Sequence, residues 1–392
     1  MAGSINFKLS PSVLEWARTS MGYSIDQAAK KAGVQPNKYL AWERGEKLPT
    51  YKQLEGLAEN VYKRPIAILL LAQPPLEESI QKDFRNLSNK EIENISPELR
   101  LIIRKAKRYQ LILEEVTLEE NPAKFNEFKV SSKDDPQSAA KRFREFLNLP
   151  LAEQKSWNYD DAFKKFKQKI ESIGIYVFQI KMQINEVRAL CLTGEYPLIV
   201  LNTDDSNNGR IFSIFHETCH ILFNTNDVFR DADSGTLNIE YRIIEEFCNK
   251  FSAAFLVPEE SFEEDIKEFG LKENKIKNSD IEKLARIYNV SKEVIARKLL
   301  SLQLISETDF WKKKRLWDAS AKSAKEAEKE KMKKQDPKGI DQGIKIIYEK
   351  GRPYVSNVIN AYNQGLISSS DLSNYLEIKL DHLPKIIQRL NN

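Results

Sequence analysis

The string His216-Glu217-Thr218-Cys219-His220 lies inside an almost unbroken apolar run, with Ile211, Phe212, Ile214 and Phe215 before it and Ile221, Leu222 and Phe223 after it. A helix of that composition must be buried, and two imidazoles and a carboxylate buried with it need partners. Residues four apart share a helix face, so His216 and His220 can direct ring nitrogens at one ion. Glu217 sits about a hundred degrees round the helix, where it can reach a water on that ion without ligating it. A solvated polar face is the competing explanation, and the apolar surroundings argue against it. Chance is a poor rival too: with three histidines in the chain, the string should arise by accident in on the order of one sequence in a thousand. The remaining histidine, His382, reads as a surface or capping residue.

A catalytic zinc takes three protein ligands and keeps one position for water. The next helical stretch, YRIIEEFCNKFSAAFLVP, offers Glu245 and Glu246 in an apolar context, and spacing alone leaves both open. Either would complete a His-His-Glu set suited to Zn2+. Tyr241 and Arg242 precede them, but read equally well as surface residues of a helix start, so no oxyanion donor is assigned. Cys219 and Cys248 each share a helical face with a candidate ligand and read as small core residues. With Cys191 they make three cysteines, which cannot form a disulfide framework and fit a reducing compartment.

At 392 residues the chain exceeds one ordinary core and divides into several units. Residues 1–75 read as short helices around SIDQAAKKAGVQPNKYLAWERGEKLP, a helix-turn-helix pattern with Ser24 as N-cap and Gly33 in the turn; the helix Gln35 to Glu43 is terminated by Gly45. Residues 76–135 form a helical connector. Residues 136–310 combine helices with three short β-rich runs, GIYVFQI, EVRALCL and PLIVLN, and end in a closing helix pair around NVSKEVIARKLL. Residues 311–339 are a charged linker, and 340–392 a C-terminal helical unit. The fold class is α+β, a small sheet packed on helices following an all-α N-terminal domain. The longest apolar stretch, IAILLLA at 66–72, is far too short to span a membrane, and the N-terminus lacks a signal-peptide pattern, so a cytoplasmic protein with no membrane partner is expected. A net charge of +4 means that any DNA contact must come from a local patch.

GRIFSIFHETCHILF followed by EEFCNKFSAAFLVP resembles the ImmA/IrrE family of zinc peptidases. That family has a basic-aromatic lead-in to HExxH and a Glu four residues before Asn in a helix ending near Leu-Leu-Met-Pro. The resemblance spans about 136–305, with the three β-rich runs and DFRNL at 83–87 similar to further parts of the family. Counting back from Asn249 it implies Glu245 as third ligand, a zincin-like fold, and peptide-bond hydrolysis in which Glu217 takes the proton of the attacking water. Cys219 and Cys248 stand where the family commonly has Gly and Ala; neither change removes a ligand. The N-terminal unit resembles the Xre, lambda-repressor-like helix-turn-helix family through AWERGEKLP. This implies double-stranded DNA as a partner, with Gln35, Asn37 and Lys38 at the reading helix and Arg44 and Lys47 near the backbone. Together the resemblances imply an endopeptidase acting on a regulatory protein such as a helix-turn-helix repressor and coupled to DNA binding. The alternative is a DNA-binding regulator or antitoxin whose peptidase-like domain holds a cognate toxin or zinc without turnover. A homodimer is compatible with either.

Overall fold

The computed structural model describes residues 9–76, 95–117, 124–182, 187–224, 237–273, 275–334 and 341–391, with the side chains of 224, 237–241, 321–322 and 324–334 also left aside. The DFRNL segment lies outside the described residues, as does the end of the charged linker. The chain forms two compact units that divide after Arg108.

The first unit is helical: α1 (Pro11–Ser20), α2 (Ile25–Ala32), α3 (Pro36–Glu43), α4 (Tyr51–Gly56) running into a π-turn (Leu57–Tyr62), and α5 (Ile66–Leu69). Ser24 caps α2 through a reciprocal pair with Gln27, and Gly33 ends that helix at φ 67°, a left-handed conformation that costs glycine nothing. Ala28 and Ala29 are fully buried, which lets α2 and α3 cross closely. On α3, spacing left open which apolar residue turns inward. Tyr39 and Trp42 do so, while Leu40 is only partly buried. The Tyr39 hydroxyl meets that of Tyr62 at 2.5 Å, and Arg18 pairs with Glu43 at 2.7 Å, so the polar tips of this core are satisfied. The helix α6 (Pro97–Val116) contains the point at which the two units divide.

In the second unit each β-rich run forms a strand: β1 (Tyr176–Ile180), β2 (Ala189–Leu192) and β3 (Leu198–Asn202). The order is β1-β3-β2, with β1 parallel and β2 antiparallel to β3. All of β3 is buried, as a central strand covered on both faces requires. The helices α7 (Pro136–Phe146), α8 (Leu151–Ser156), α9 (Ala162–Glu171), α10 (Asn207–Asn224) and α11 (Leu237–Leu256) surround the main core, filled by Phe143, Phe166, Phe215, Phe251 and Phe255; α9 and α10 pack on the sheet itself, and α11 packs on α10 and α7. The helices α12 (Glu259–Glu268), α13 (Asn278–Tyr288), α14 (Lys292–Ser301) and α15 (Glu307–Lys334) follow. The start of the charged linker is therefore helical, with Phe310 buried in the main core. The C-terminal helices α16 (Gln342–Lys350), α17 (Arg352–Asn363), α18 (Ser369–Leu376) and α19 (Leu383–Leu390) complete the unit. His382 ends a short 3-10 turn just before α19 and makes no side-chain cap.

Candidate metal centre

The helices α10 and α11 pack against each other, and their facing sides carry the polar groups. The apolar stripes around HETCH bury α10, with Ile211, Ile214, Phe215, Cys219 and Leu222 all fully buried. This leaves His216 and His220 on the side turned to α11. Their Nε2 atoms lie 3.1 Å apart. Glu245 closes the triangle, with Oε2 3.4 Å from His216 Nε2 and Oε1 3.1 Å from His220 Nε2. Of the two glutamates that spacing left open, Glu245 turns into this group. Glu246 points to solvent and pairs with Lys250 one turn on, at 2.7 Å.

Three lone-pair-bearing atoms facing one another need something positive between them. In a tetrahedral site with metal–ligand bonds near 2.0–2.1 Å the ligand–ligand edges are about 3.4 Å, close to the three distances above. The donor set of two imidazoles and one carboxylate suits a zinc-type divalent ion and leaves a coordination position open. His216, His220 and Glu245 form the group among the described residues that could hold a metal ion. Burial pushes the Glu245 carboxyl up, yet the hydrogen bonds to His216 and His220 outweigh it and hold the group well below the usual carboxylate range. Burial would likewise lower His220, but Cys248, Glu245 and Glu217 hold it well above the ordinary imidazole value. The site thus favours charge separation, the electrostatics that a cation would satisfy directly.

Glu217 belongs to the same helix but not to the ligand triangle. Cys191 of β2, a strand on which α10 packs, lies near it; burial, and then the Glu217 carboxylate, push the Cys191 thiol well up. Spacing could not reveal Cys191, because its closeness to Glu217 comes from strand β2 lying under α10. Ala189 and Cys191 share the face of β2 that meets the main core, and the strand's alternation is the one signal that could have suggested it. Cys248 is fully buried near Cys219 and His220, and burial pushes its thiol well up. Arg242 is exposed, and the Tyr241 side chain lies outside the described residues.

The end of α11 is fixed by a buried polar knot. Arg144 donates to the carbonyl of Leu149 at 3.0 Å, to Gln154 Oε1 at 2.7 Å and to the carbonyl of Phe255, while burial pulls its guanidinium down to about 10. Gln154 in turn donates to the carbonyls of Leu256 and Tyr288 at 2.9 and 2.8 Å. The helix carrying Glu245 is thereby tied to α7, α8 and α13.

In the first unit Gln35, Asn37 and Lys38 are exposed around the start of α3, and Arg44 and Lys47 are exposed beyond its end. Lys38 sits 5.6 Å over the Trp42 ring, and Arg44 approaches Glu46 at 3.8 Å.

Residues 170–300 match the family model for the IrrE N-terminal-like peptidase domain, and residues 14–60 match that for a helix-turn-helix. No curated protein matches the chain. Among the described residues no helix is long and apolar enough to cross a membrane.

Proposed function

We propose that this chain, a helix-turn-helix domain joined to a peptidase domain of the IrrE N-terminal-like family, is a zinc-dependent endopeptidase that cleaves a regulatory protein, such as a helix-turn-helix repressor, and couples cleavage to DNA binding. The observation that carries this reading is the convergence of His216, His220 and Glu245 while Glu217, on the same helix, stands free of the triangle. His216, His220 and Glu245 hold the ion. A bound zinc supplies Lewis acidity toward a water and toward the carbonyl of the scissile peptide. Glu217 accepts the proton of the attacking water and returns it to the leaving amine. At the other end of the chain, exposed Gln35 and Asn37 suit base edges, and Lys38 and Arg44 suit phosphates.

The test is Glu217→Gln. This variant keeps the ligand triangle and the DNA-reading helix, so zinc content and DNA affinity should match the wild type. Cleavage of a co-expressed regulatory partner should fall by about 10²- to 10⁴-fold, the range that loss of a general base costs. A Glu217→Gln protein that regulates as the wild type does would favour binding without turnover.

A further inference from the structure

Strand β1 ends the sheet, pairing with β3 alone, and natural sheets cover or blunt such edges. Here the C-terminal helices, with Tyr109 of α6, pack against β1. Tyr354 packs edge-on to Phe178, Tyr109 stacks on Phe178 with ring centroids 4.4 Å apart, and Asn357 donates to the Tyr176 hydroxyl at 3.0 Å. At the far end of β1, Gln179 donates to the backbone carbonyl of Tyr348 at 2.6 Å, and Lys167 reaches the same carbonyl at 3.3 Å.

The same spot holds the first turn of α10. Arg210, 5% exposed, donates to Gln179 Oε1, to the Tyr348 hydroxyl at 2.7 Å and to Asn207 Oδ1 at 2.5 Å, with its guanidinium 4.5 Å over the Phe163 ring. Burying an arginine near a helix N-terminus opposes the helix dipole. No carboxylate balances it in these contacts; its partners are neutral oxygens and a ring. Such an arrangement fixes direction more than it adds stability. The direction matters because Arg210 and Glu217 are seven residues apart, two turns along one face of the helix. The helix lies across the sheet, anchored by Arg210 on Gln179 of β1 and packed on β2 and β3.

From this geometry we infer that Arg210 is a positioning residue for the His-Glu motif, and that Tyr348 of the C-terminal unit locks it. The arginine sets the rotation of α10, and with it the placement of Glu217 and the turn of His216 and His220 toward α11. Residues 341–391 thereby become part of the site's scaffold, although the matched peptidase segment ends at 300. The inference rests on the proposed metal site, but its test separates the two.

Tyr348 is 44% exposed, so Tyr348→Phe removes one hydroxyl without opening a core. The full-length protein is titrated with zinc against a chromophoric chelator, alongside Arg210→Lys and a control, Asn357→Ala, which loosens the same helical unit away from Arg210. Tyr348→Phe and Arg210→Lys should lose about 10-fold in zinc affinity, the scale of a lost outer-shell partner, while Asn357→Ala keeps the wild-type value. Wild-type affinity in Tyr348→Phe, or an equal loss in Asn357→Ala, overturns the inference. A wild-type chain that binds no zinc refutes the metal reading instead. Amide exchange over 211–220 then decides: faster exchange in Tyr348→Phe than in Asn357→Ala supports the lock, and equal exchange refutes it.

Discussion

Glu245 and Glu246 are neighbours in sequence and opposites in surroundings. One hundred degrees of helical rotation sends the first toward two imidazoles and the second into water beside Lys250. If Glu245 is a ligand, Glu245→Gln should cost zinc affinity more than the roughly 10- to 100-fold lost with an outer-shell partner, and Glu246→Gln should leave it unchanged; a chelator titration of both reads the difference. The HETCH pattern was legible because its spacing is local: residues four apart meet whatever the rest of the chain does. The choice between the two glutamates was legible only by likeness to a family, since it depends on how α11 is rotated against α10. Alternation along β2 could at most put Cys191 on its core-facing side; its nearness to Glu217 was not legible, because no periodicity in one segment says which strand will lie beneath which helix.

Elements were more readable than their junctions. The three strands announced themselves by short apolar runs between glycines and polar stretches, and the ends of α2 by Ser24 and Gly33. The knot of Arg144 and Gln154 gave no sequence signal, since a buried Gln looks like a surface one until its partners close around it. Gln154 is fully buried, and its removal leaves the carbonyls of Leu256 and Tyr288 without the donor they have now. Gln154→Ala should therefore destabilise the second unit by about 2–4 kcal/mol, read from urea unfolding. A second junction carries a pH signature. Burial raises the Glu293 carboxyl, but hydrogen bonds from Lys314 and Arg297 outweigh it and the pKa is lowered. A depressed carboxylate contributes stability that is fully present above its unfolded value and is lost as pH falls through the folded one. The docking of α15 on α14 should weaken as pH drops below the ordinary glutamate range, and Glu293→Gln should flatten that part of the pH–stability curve.

At the scale of the whole molecule, two chemistries share one chain: a helix-turn-helix with exposed polar residues around α3, and a peptidase-like unit with a converging donor set. The fold class was legible because each half has its own local grammar. The part played by the C-terminal helices was not, since it lies in long-range pairs such as Arg210 with Tyr348. For the DNA-reading end, Lys38→Ala should weaken binding about equally across sequences and reduce the salt dependence by about one released counterion, measured by anisotropy over a salt series. The central claim concerns the metal. Native mass spectrometry of the purified full-length chain should find one zinc per chain, kept in Glu217→Gln and lost in both His220→Ala and Glu245→Ala. A wild-type protein that carries no zinc and takes up none when it is supplied, or a Glu217→Gln variant that loses it as fully as the ligand variants do, would contradict the account.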